Sequence, residues 1–368
     1  MIIGIPREIK KEEYRVSMTP DGVEELKRLG HTVLVESGAG TGSGFPDEDY
    51  LRMDADIVDR DRVFLKSDLI IKVKEPLPAE YPLFREGQAL FTYLHLAPNR
   101  ELTEFLMERE VTALGYETLR QEGALPLLAP MSEIAGRMAP IMGAYFLQKA
   151  KGGRGVLPTG AAGVLPAKAV ILGAGVVGTN AARVSLGLGM DTVILNITPD
   201  RLQKIDELFQ GRVKTLPLLA HHIREEIAEA DMVIGAVLVP GGKTPILITK
   251  EMLRDMKKGA VILDVSVDQG GCVETIRPTT HDDPVYEVDG IIHYAVANMP
   301  GAYPRTSTLS LTNATLPYIL ELAQKGIDKA IRESEPLQTA LNIYRGKVVL
   351  PPLLESMGLP LQRISDIM

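Results

Sequence analysis

The sequence lacks several features that mark particular classes of protein. Its single cysteine, Cys272, permits no internal disulfide, which points to a reducing cytoplasm. No basic run accompanies the formal net charge of -8, so a nucleic-acid partner is not expected. No uninterrupted apolar stretch reaches the ~18 residues of a membrane helix, and the first residues lack the three-part pattern of a signal peptide. We therefore expect a cytoplasmic protein with neither a membrane nor a nucleic-acid partner.

Histidine and cysteine are too sparse and too scattered to suggest a metal centre. None of the six histidines stands at a Cys/His/Asp spacing typical of zinc. His221 and His222 are adjacent on a helical pattern and face different ways, so they form no pair of ligands. No metal site is predicted.

What the chain does contain is an alternation of short β-branched runs with helical patterns. In the middle of the chain, runs with strand character occupy 168–172, 191–197, 212–216, 231–237, 259–266 and 290–296. Apolar strands separated by helices indicate a parallel, doubly wound sheet of the Rossmann type. The first part repeats this style at 1–5, 31–36, 68–74, 89–96 and 111–117. The predicted fold is α/β, with two αβ domains and a deep cleft between them.

The chain of 368 residues is long enough for two domains of ordinary size. A connection rich in Gly and Pro occupies 149–168, and the C-terminal residues are mostly helical in pattern. Because the central sheet looks complete without them, we expect the C-terminal residues to pack back onto the first domain. The predicted domains are 1–126 with 309–368, and 127–308.

A glycine loop follows the first strand of the central sheet. Gly173, Gly175 and Gly178 stand at G-x-G-x-x-G spacing in "VILGAGVVGTNAA", after a strand and at the start of a helix. The three glycines allow a tight turn, the approach of a pyrophosphate and close packing of helix on strand. The motif alone also fits an ordinary glycine-rich turn, but the strand before it and the helix after it favour a dinucleotide site.

The residue that ends the next strand decides which dinucleotide binds. A chain that binds NAD is expected to have Asp or Glu here, and this chain has Asn196. The amide oxygen of Asn196 still accepts hydrogen bonds, but the side chain is neutral. We predict NAD as the preferred cofactor, with weaker discrimination against NADP than an aspartate gives.

Polar residues follow other strands of both predicted sheets. Asp268 and Asn298 end neighbouring strands of the central sheet, where the nicotinamide ribose of a dinucleotide lies, although both residue types are also common in turns. Arg15, Lys74 and His95 stand at or just past strand ends in the first domain. Each also has an ordinary interpretation. Arg15 is typical of a solvated loop, Lys74 of a lysine that protects a strand edge, and His95 of a structural histidine. Together they offer two cations and one acid/base to a small substrate with a carboxylate.

Long stretches of the chain resemble the alanine dehydrogenase family, which includes transhydrogenase α-subunits. The stretches are "GIPREIKKEEYRVSMTPDGVEEL", "IIKVKEP", "LFTYLHLA", "MSEIAGRMAP", "GAGVVGTNAA", "DVSVDQGGCVETIRPTTHDDP" and "VANMPGAYPRTST". The resemblance implies a two-domain fold in which the C-terminal segment rejoins the first domain, a homohexamer, and oxidation of L-alanine by NAD to pyruvate and ammonium. The chain departs from the family at Asn196, where the family usually has Asp.

The resemblance also implies roles for individual residues. Arg15 and Lys74 become the substrate-binding pair, His95 the acid/base and Asp268 the second catalytic residue. The cofactor is lined by Ser132, Val176, Val177, Arg201, Val237, Leu238, Val265, Ser266, Val267, Asp268, Val296, Ala297, Asn298 and Met299.

Two other interpretations remain open from the sequence. A non-catalytic NAD(H)-binding subunit of a transhydrogenase shares the two-domain design but needs no substrate histidine, so "KVKEP" and "FTYLHLA" favour the enzyme. A saccharopine dehydrogenase is a more distant relative whose substrate needs more room.

Overall fold

The structure is a computed structural model that describes residues 1–237 and 244–359. Its strands are β1 (Ile2–Ile5), β2 (Thr32–Glu36), β3 (Asp56–Val58), β4 (Leu69–Ile71), β5 (Ala89–Thr92), β6 (Thr112–Gly115), β7 (Lys168–Leu172), β8 (Asp191–Asn196), β9 (Lys214–Pro217), β10 (Met232–Gly235), β11 (Val261–Asp264), β12 (Val285–Val288), β13 (Ile291–Tyr294), β14 (Leu341–Tyr344) and β15 (Lys347–Val348).

The α-helices are α1 (Pro20–Arg28), α2 (Asp47–Arg52), α3 (Arg60–Lys66), α4 (Arg100–Glu108), α5 (Ala129–Phe146), α6 (Val176–Gly187), α7 (Pro199–Phe209), α8 (Ala220–Ala228), α9 (Pro304–Lys325), α10 (Ile327–Glu333), α11 (Glu335–Ala340) and α12 (Pro351–Met357). Within the described residues, no helix is long and apolar enough to cross a membrane.

The chain divides into two compact units. The first unit comprises Met1–Met131 and Tyr303–Met368, and the second comprises Ser132–Ala302. Each unit is an α/β structure built on a mostly parallel sheet, which confirms the predicted fold class.

The sheet of the first unit has the order β15-β14-β6-β5-β4-β1-β2-β3. Strands β1 to β6 are parallel to their neighbours, so their carboxyl ends meet at one edge of the sheet. The C-terminal segment contributes β14, which pairs antiparallel with β6, and β15, which pairs antiparallel with β14. The sequence pattern indicated helices in this segment and missed both strands.

The sheet of the second unit has the order β12-β13-β11-β10-β7-β8-β9. Read from β9 to β13, this is the order 3-2-1-4-5-6 of a dinucleotide-binding sheet, with the reversal between β7 and β10. Strand β12 adds an antiparallel edge that the sequence pattern did not reveal. Its residues are half-buried or exposed, so it lacks the apolar run that marks the central strands.

Burial on both faces explains why the central strands are apolar throughout. Ile171 and Ile234 belong to the core on one face of this sheet, while Val170 and Val233 belong to the core on the other. Successive side chains of a strand point to opposite faces, so both kinds of position must be apolar here.

Two helices begin with a threonine followed by a proline. Thr19 caps α1, and its side chain accepts a hydrogen bond from the backbone N–H of Gly22 at 3.3 Å. Thr198 is the N-cap residue of α7 and Pro199 its first residue, but the Thr198 side chain makes no capping hydrogen bond. Proline supplies the fixed φ angle that suits the first position of both helices.

Candidate functional site

Three adjacent strands of the first unit have their carboxyl ends on the same side of the sheet, and the predicted substrate residues follow these ends. Strands β1, β4 and β5 are parallel neighbours, and their carboxyl ends are at Ile5, Ile71 and Thr92. The segments that leave these ends carry Arg15, Lys74 and His95, respectively. Lys74 therefore follows a strand from the interior of the sheet, so the alternative that it protects an edge strand is wrong.

Arg15 is buried and held by a carboxylate two residues before it. Its Nε donates to Oε1 of Glu13 at 2.6 Å and its Nη2 donates to Oε2 at 2.5 Å, while Nη1 lies 3.0 Å from Sδ of Met131. The side chain of Arg15 is only 2% exposed and that of Glu13 is 0% exposed. The Arg15 side chain is thus fixed in direction by a two-bond ion pair, and the solvated-loop interpretation of Arg15 is wrong.

The returning helix α9 fixes the backbone that follows Arg15. The hydroxyl of Thr308 accepts from the N–H of Val16, and that of Thr312 accepts from the N–H of Thr19, both at 3.1 Å. Both threonines are buried and one helical turn apart. A segment with no strand partners thereby has its backbone donors satisfied by side chains from the far end of the sequence.

Lys74 interacts electrostatically with Arg15. Burial, followed by the positive charges of Arg15 and Lys10, lowers the pKa of the Lys74 ammonium, although Glu13 and Glu75 oppose this change. Lys74 therefore loses its proton at a lower pH than an ordinary lysine does. A bound carboxylate would offset the repulsion between these cations.

His95 has a left-handed backbone and an exposed side chain. Strand β5 ends at Thr92, so Tyr93 and His95 lie outside the strand. His95 has φ of 47°, and its N–H donates to Oε1 of Glu117 at 2.7 Å. The rings of Tyr93 and His95 still lie face to face, with centroids 6.1 Å apart. A positive φ is uncommon in residues other than glycine, and here the bond to Glu117 holds it in place.

In the second unit, the glycine loop has the geometry that its spacing predicts. Gly173 has φ of 108°, and a Cβ there would lie 2.5 Å from the carbonyl oxygen of Ala236. A Cβ at Gly178 would lie 1.8 Å from the carbonyl oxygen of Gly173. A Cβ at Gly175 would meet only Nη1 of Arg201, at 3.8 Å. The packing of the protein itself thus requires the first and third glycines but not the second.

Helix α5 approaches the same loop through another glycine. A Cβ at Gly136 would lie 2.3 Å from the carbonyl oxygen of Val177, in the first turn of α6. Ser132 lies one helical turn before Gly136 on the same face of α5. The half-buried Ser132 is therefore on the side of α5 that faces the start of α6.

Asn196 is buried and joins two parts of the loop region. Its Oδ1 accepts from the N–H of Ala174 at 3.1 Å, and its Nδ2 donates to the carbonyl oxygen of Thr198 at 3.3 Å. The amide oxygen that the sequence offered as a ribose acceptor is thus already used by the glycine loop. Asn196 therefore supports the shape of the glycine loop.

The loop after β11 presents Asp268 from a short 3-10 turn, Val267–Gln269. Asp268 is exposed, whereas Asp264 beneath it is buried and accepts from the N–H groups of Ser266 and Cys272 at 2.9 and 2.7 Å. Burial raises the pKa of the Asp264 carboxyl although these hydrogen bonds oppose the shift. The two hydrogen bonds to the Asp264 carboxylate join the two ends of this loop and thereby fix the position of Asp268.

Ser266 links this loop to the end of β10. Its hydroxyl donates to the carbonyl oxygen of Val237 at 2.7 Å and accepts from the N–H of Val237 at 3.1 Å. Val265 donates its N–H to Gly235. Leu238, the next predicted cofactor residue, lies outside the described residues.

The segment after β13 also leaves its strand in an unusual conformation. Asn298 has φ of 63°, and its carbonyl oxygen accepts from the N–H of Gly301 at 2.9 Å. Val296 and Met299 are buried in the core of the second unit, while Ala297 and Asn298 are half-buried. Ala297 and Asn298 are therefore the more accessible residues of this segment.

The supporting carboxylates were missed from the sequence. Glu13 and Glu117 hold Arg15 and His95, and Asp264 holds the Asp268 loop. Glu13 and Asp264 stand close to their candidates in the sequence, but Glu117 is 22 residues from His95, and no local signal points to it. Among the described residues, no group of three or more His, Cys, Asp or Glu side chains could hold a metal ion.

Comparison with known proteins agrees with this architecture. Residues 4–135 match the model of the alanine dehydrogenase/PNT N-terminal domain, and residues 139–351 match that of the C-terminal domain. The chain is 51% identical to alanine dehydrogenase of Bacillus subtilis (strain 168) over 359 residues, covering 97% of this chain and 95% of that protein. It is also 51% identical to alanine dehydrogenase 2 of Staphylococcus aureus (strain USA300) over 368 residues, covering 100% and 99%.

Solved structures give the same result. An L-alanine dehydrogenase superposes with a TM-score of 0.95 at 49% identity, covering 97% of this chain and 99% of that one. A transhydrogenase from Sinorhizobium meliloti superposes with a TM-score of 0.83 at 26% identity, covering 95% and 100%. The family predicted from the sequence is confirmed: the chain belongs to the alanine dehydrogenase/PNT family and is an oxidoreductase.

Proposed function

We propose that this protein is an L-alanine dehydrogenase that oxidises L-alanine with NAD to pyruvate, ammonium and NADH, and catalyses the reverse reaction. The observation that carries the proposal is the cluster of the buried Arg15 and the half-buried Lys74 in the first unit. Glu13 already pairs with Arg15, so the added charge of Lys74 favours an anionic partner, and a small carboxylate is a partner of the right size. The relatives named alanine dehydrogenase, half-identical along the whole chain, support this choice of substrate.

The second unit fits a dinucleotide cofactor. The open space at Gly175, which the packing of the protein does not require, suits a pyrophosphate next to the backbone. The first turn of α6 supplies N–H donors, and Arg201 lies beside the same loop. Bound NAD would supply the acceptor for the hydride that leaves Cα of alanine.

The first unit supplies the groups that handle the substrate. The ion pair with Glu13 orients Arg15, so that Arg15 and Lys74 hold the carboxylate and the carbonyl of the substrate in one orientation. His95 is the proposed acid/base, taking a proton from the water that adds to the imine and returning one as ammonium leaves. Asp268 in the second unit is the second proposed catalytic residue, and Asn298 the third substrate-binding residue.

A non-catalytic nucleotide-binding subunit is the second candidate, because the transhydrogenase structure shares the fold. That role requires no pair of cations for a substrate, so the cluster of Arg15 and Lys74 favours the enzyme. A homohexamer and a cytoplasmic location remain predictions of the family resemblance, and the mass of the assembly in solution tests the first of them.

The absorbance of NADH tests the proposed function directly. On mixing the protein with NAD and L-alanine, we expect absorbance to rise with repeated turnovers per subunit. The same assay with glycine, L-serine, L-valine and L-saccharopine defines the substrate. A protein that binds NADH but produces none from any amino acid would be the nucleotide-binding subunit instead.

A further inference from the structure

A buried cluster of three charged side chains lies beneath Lys74. Nζ of Lys72 donates to Oε2 of Glu8 at 2.9 Å and to Oε1 of Glu80 at 2.8 Å. The three side chains are between 0% and 2% exposed. We call Glu8, Lys72 and Glu80 the buried triad.

Stability does not account for the buried triad. Removing charges from water costs free energy that a buried ion pair seldom recovers in full, and apolar replacements of similar volume are often as stable or more so. A buried triad is therefore expected where its polar atoms have a further task. The remaining oxygens of the two carboxylates show what that task is.

Each carboxylate of the triad also binds backbone of the segment that follows β4. Oε1 of Glu8 accepts from the N–H groups of Val73 and Lys74 at 2.6 and 3.3 Å. Oε2 of Glu80 accepts from the N–H of Leu77 at 2.9 Å. These donors lie beyond the end of β4, where the sheet no longer supplies acceptors.

The backbone of Lys74 is held from the other side as well. The hydroxyl of the buried Thr92, the last residue of β5, donates to the carbonyl oxygen of Lys74 at 3.0 Å. The N–H and the C=O of Lys74 thus both bind side chains that are themselves buried. The backbone from which the Lys74 side chain extends is therefore held more firmly than the backbone of an ordinary loop residue.

We propose that Glu8, held in place by Lys72 and Glu80, is a positioning residue that sets the direction of Lys74 toward the substrate. This inference rests on the proposed function, because it assigns Lys74 to the substrate. Lys72 is itself buried, and its role is to orient the Glu8 carboxylate.

The test is Glu8→Gln in the full-length protein, with Glu36→Gln as its matched control. A glutamine at position 8 turns an N–H toward either Lys72 or the backbone of Lys74, so one of the two contacts is lost. Glu36 is also a buried carboxylate of the first unit, and it binds the backbone N–H of Arg7 and the side chain of Arg60. The control removes a similar charge and similar bonds on another strand, and it touches the Glu8 segment only through the backbone of Arg7, not through Lys72 or Lys74.

We expect Glu8→Gln to raise KM for pyruvate and for L-alanine by about 10-fold or more, the effect of losing a hydrogen bond to a charged group. The value of kcat should change less, and the dissociation constant for NADH should stay as in the parent. Glu36→Gln should leave KM for pyruvate within about 2-fold of the parent, as for a substitution away from the site. An unchanged KM in Glu8→Gln, or an equal rise in Glu36→Gln, would overturn the inference.

Thr92→Val provides a second test that does not disturb the triad. It removes the hydrogen bond to the carbonyl of Lys74 and keeps a side chain of similar shape, with Thr112→Val on the neighbouring strand as its control. We expect KM for pyruvate to rise in Thr92→Val and not in Thr112→Val, and equal values would contradict the inference. If the parent itself does not oxidise L-alanine, the proposed function fails, whereas an active parent with unaffected variants refutes the positioning role alone.

Discussion

The two units prepare their candidate sites in different ways. In the first unit, charged side chains such as Arg15 are buried and held by carboxylates. In the second unit, the site is shaped by backbone, with Gly173 and Gly178 allowing contacts that no other residue permits. The first unit thus depends on pairing of charges, and the glycine loop of the second depends on the absence of side chains.

This difference predicts how each unit responds to substitution. Loss of a paired charge leaves its partner buried without compensation, so the change is felt at the substrate and in stability. An added methyl group in the glycine loop meets backbone that cannot move aside. The four predictions below test this distinction.

The largest effect is expected from His95→Ala. Alanine oxidation should fall by about 10²–10⁴-fold, the usual contribution of a general acid–base group. The affinity for NADH, measured by its fluorescence, should stay close to that of the parent, because the glycine loop belongs to the other unit. His221→Ala, at an exposed histidine of α8, is the control and should keep the parental rate. Steady-state rates of His95→Ala within a few-fold of the parent would refute the assignment.

Gly178→Ala and Gly175→Ala should separate stability from cofactor binding. The new Cβ at 178 would overlap the carbonyl of Gly173, so we expect a loss of about 1–3 kcal/mol in the free energy of unfolding. The Cβ at 175 meets only the end of Arg201, and its φ of -80° suits alanine, so the thermal midpoint should hardly change. We expect Gly175→Ala to weaken NADH binding on the order of 10-fold or more by blocking the pyrophosphate. Unchanged NADH affinity in Gly175→Ala would place the dinucleotide elsewhere.

Arg15→Lys should act on the substrate more than on the cofactor. A lysine cannot form the two parallel bonds to Glu13 and still present a planar fork to a carboxylate. We expect KM for alanine and for pyruvate to rise together by roughly 10-fold, the value of one charge-assisted hydrogen bond. KM for ammonium serves as the internal control and should change less. Normal saturation by pyruvate would show that Arg15 does not bind the substrate.

Asn196→Asp should give the smallest effect. An aspartate keeps an acceptor for the N–H of Ala174 but places a carboxylate oxygen against the carbonyl of Thr198. Its charge should repel the 2′-phosphate of NADP, so the ratio of kcat/KM for NAD over NADP should rise by roughly 3- to 10-fold, mainly through NADP. A parent that strongly prefers NADP would refute the choice of NAD, and an unchanged ratio would show that residue 196 does not distinguish the two ribose groups.

The same contrast explains what was predictable from the sequence. Gly173 and Gly178 were recognised because a backbone that needs glycine leaves a fixed spacing in the sequence. Arg15 and Lys74 fitted a solvated loop and a strand edge equally well until the family resemblance was considered. Whether a charged residue is buried depends on partners such as Glu13 and Glu8, and nothing in one sequence marks those carboxylates as buried.

Strand ends were the other weak point of the sequence-based prediction. The run "ALFTYLHL" is apolar enough to continue as a strand, yet β5 ends at Thr92 and His95 turns into the left-handed region. The cause is tertiary, because the carboxylate of Glu117 binds the backbone N–H groups of Leu94 and His95 in place of a strand partner. Local pattern cannot reveal an acceptor that comes from a different strand.

The pairing of β14 with β6 has a consequence for the order of events during synthesis. The first unit is made of two pieces of the chain, whereas the second is continuous and lies between them. A ribosome adds roughly 5–20 residues per second, so the edge of β6 stays uncovered while the entire second unit is made. We expect the second unit to acquire protease resistance first, on nascent chains that end before α9, and resistance of the first unit on those same chains would contradict this. The first unit is therefore the first to begin synthesis and the last to finish folding. Its uncovered strand edge is what a chaperone would have to protect in the meantime.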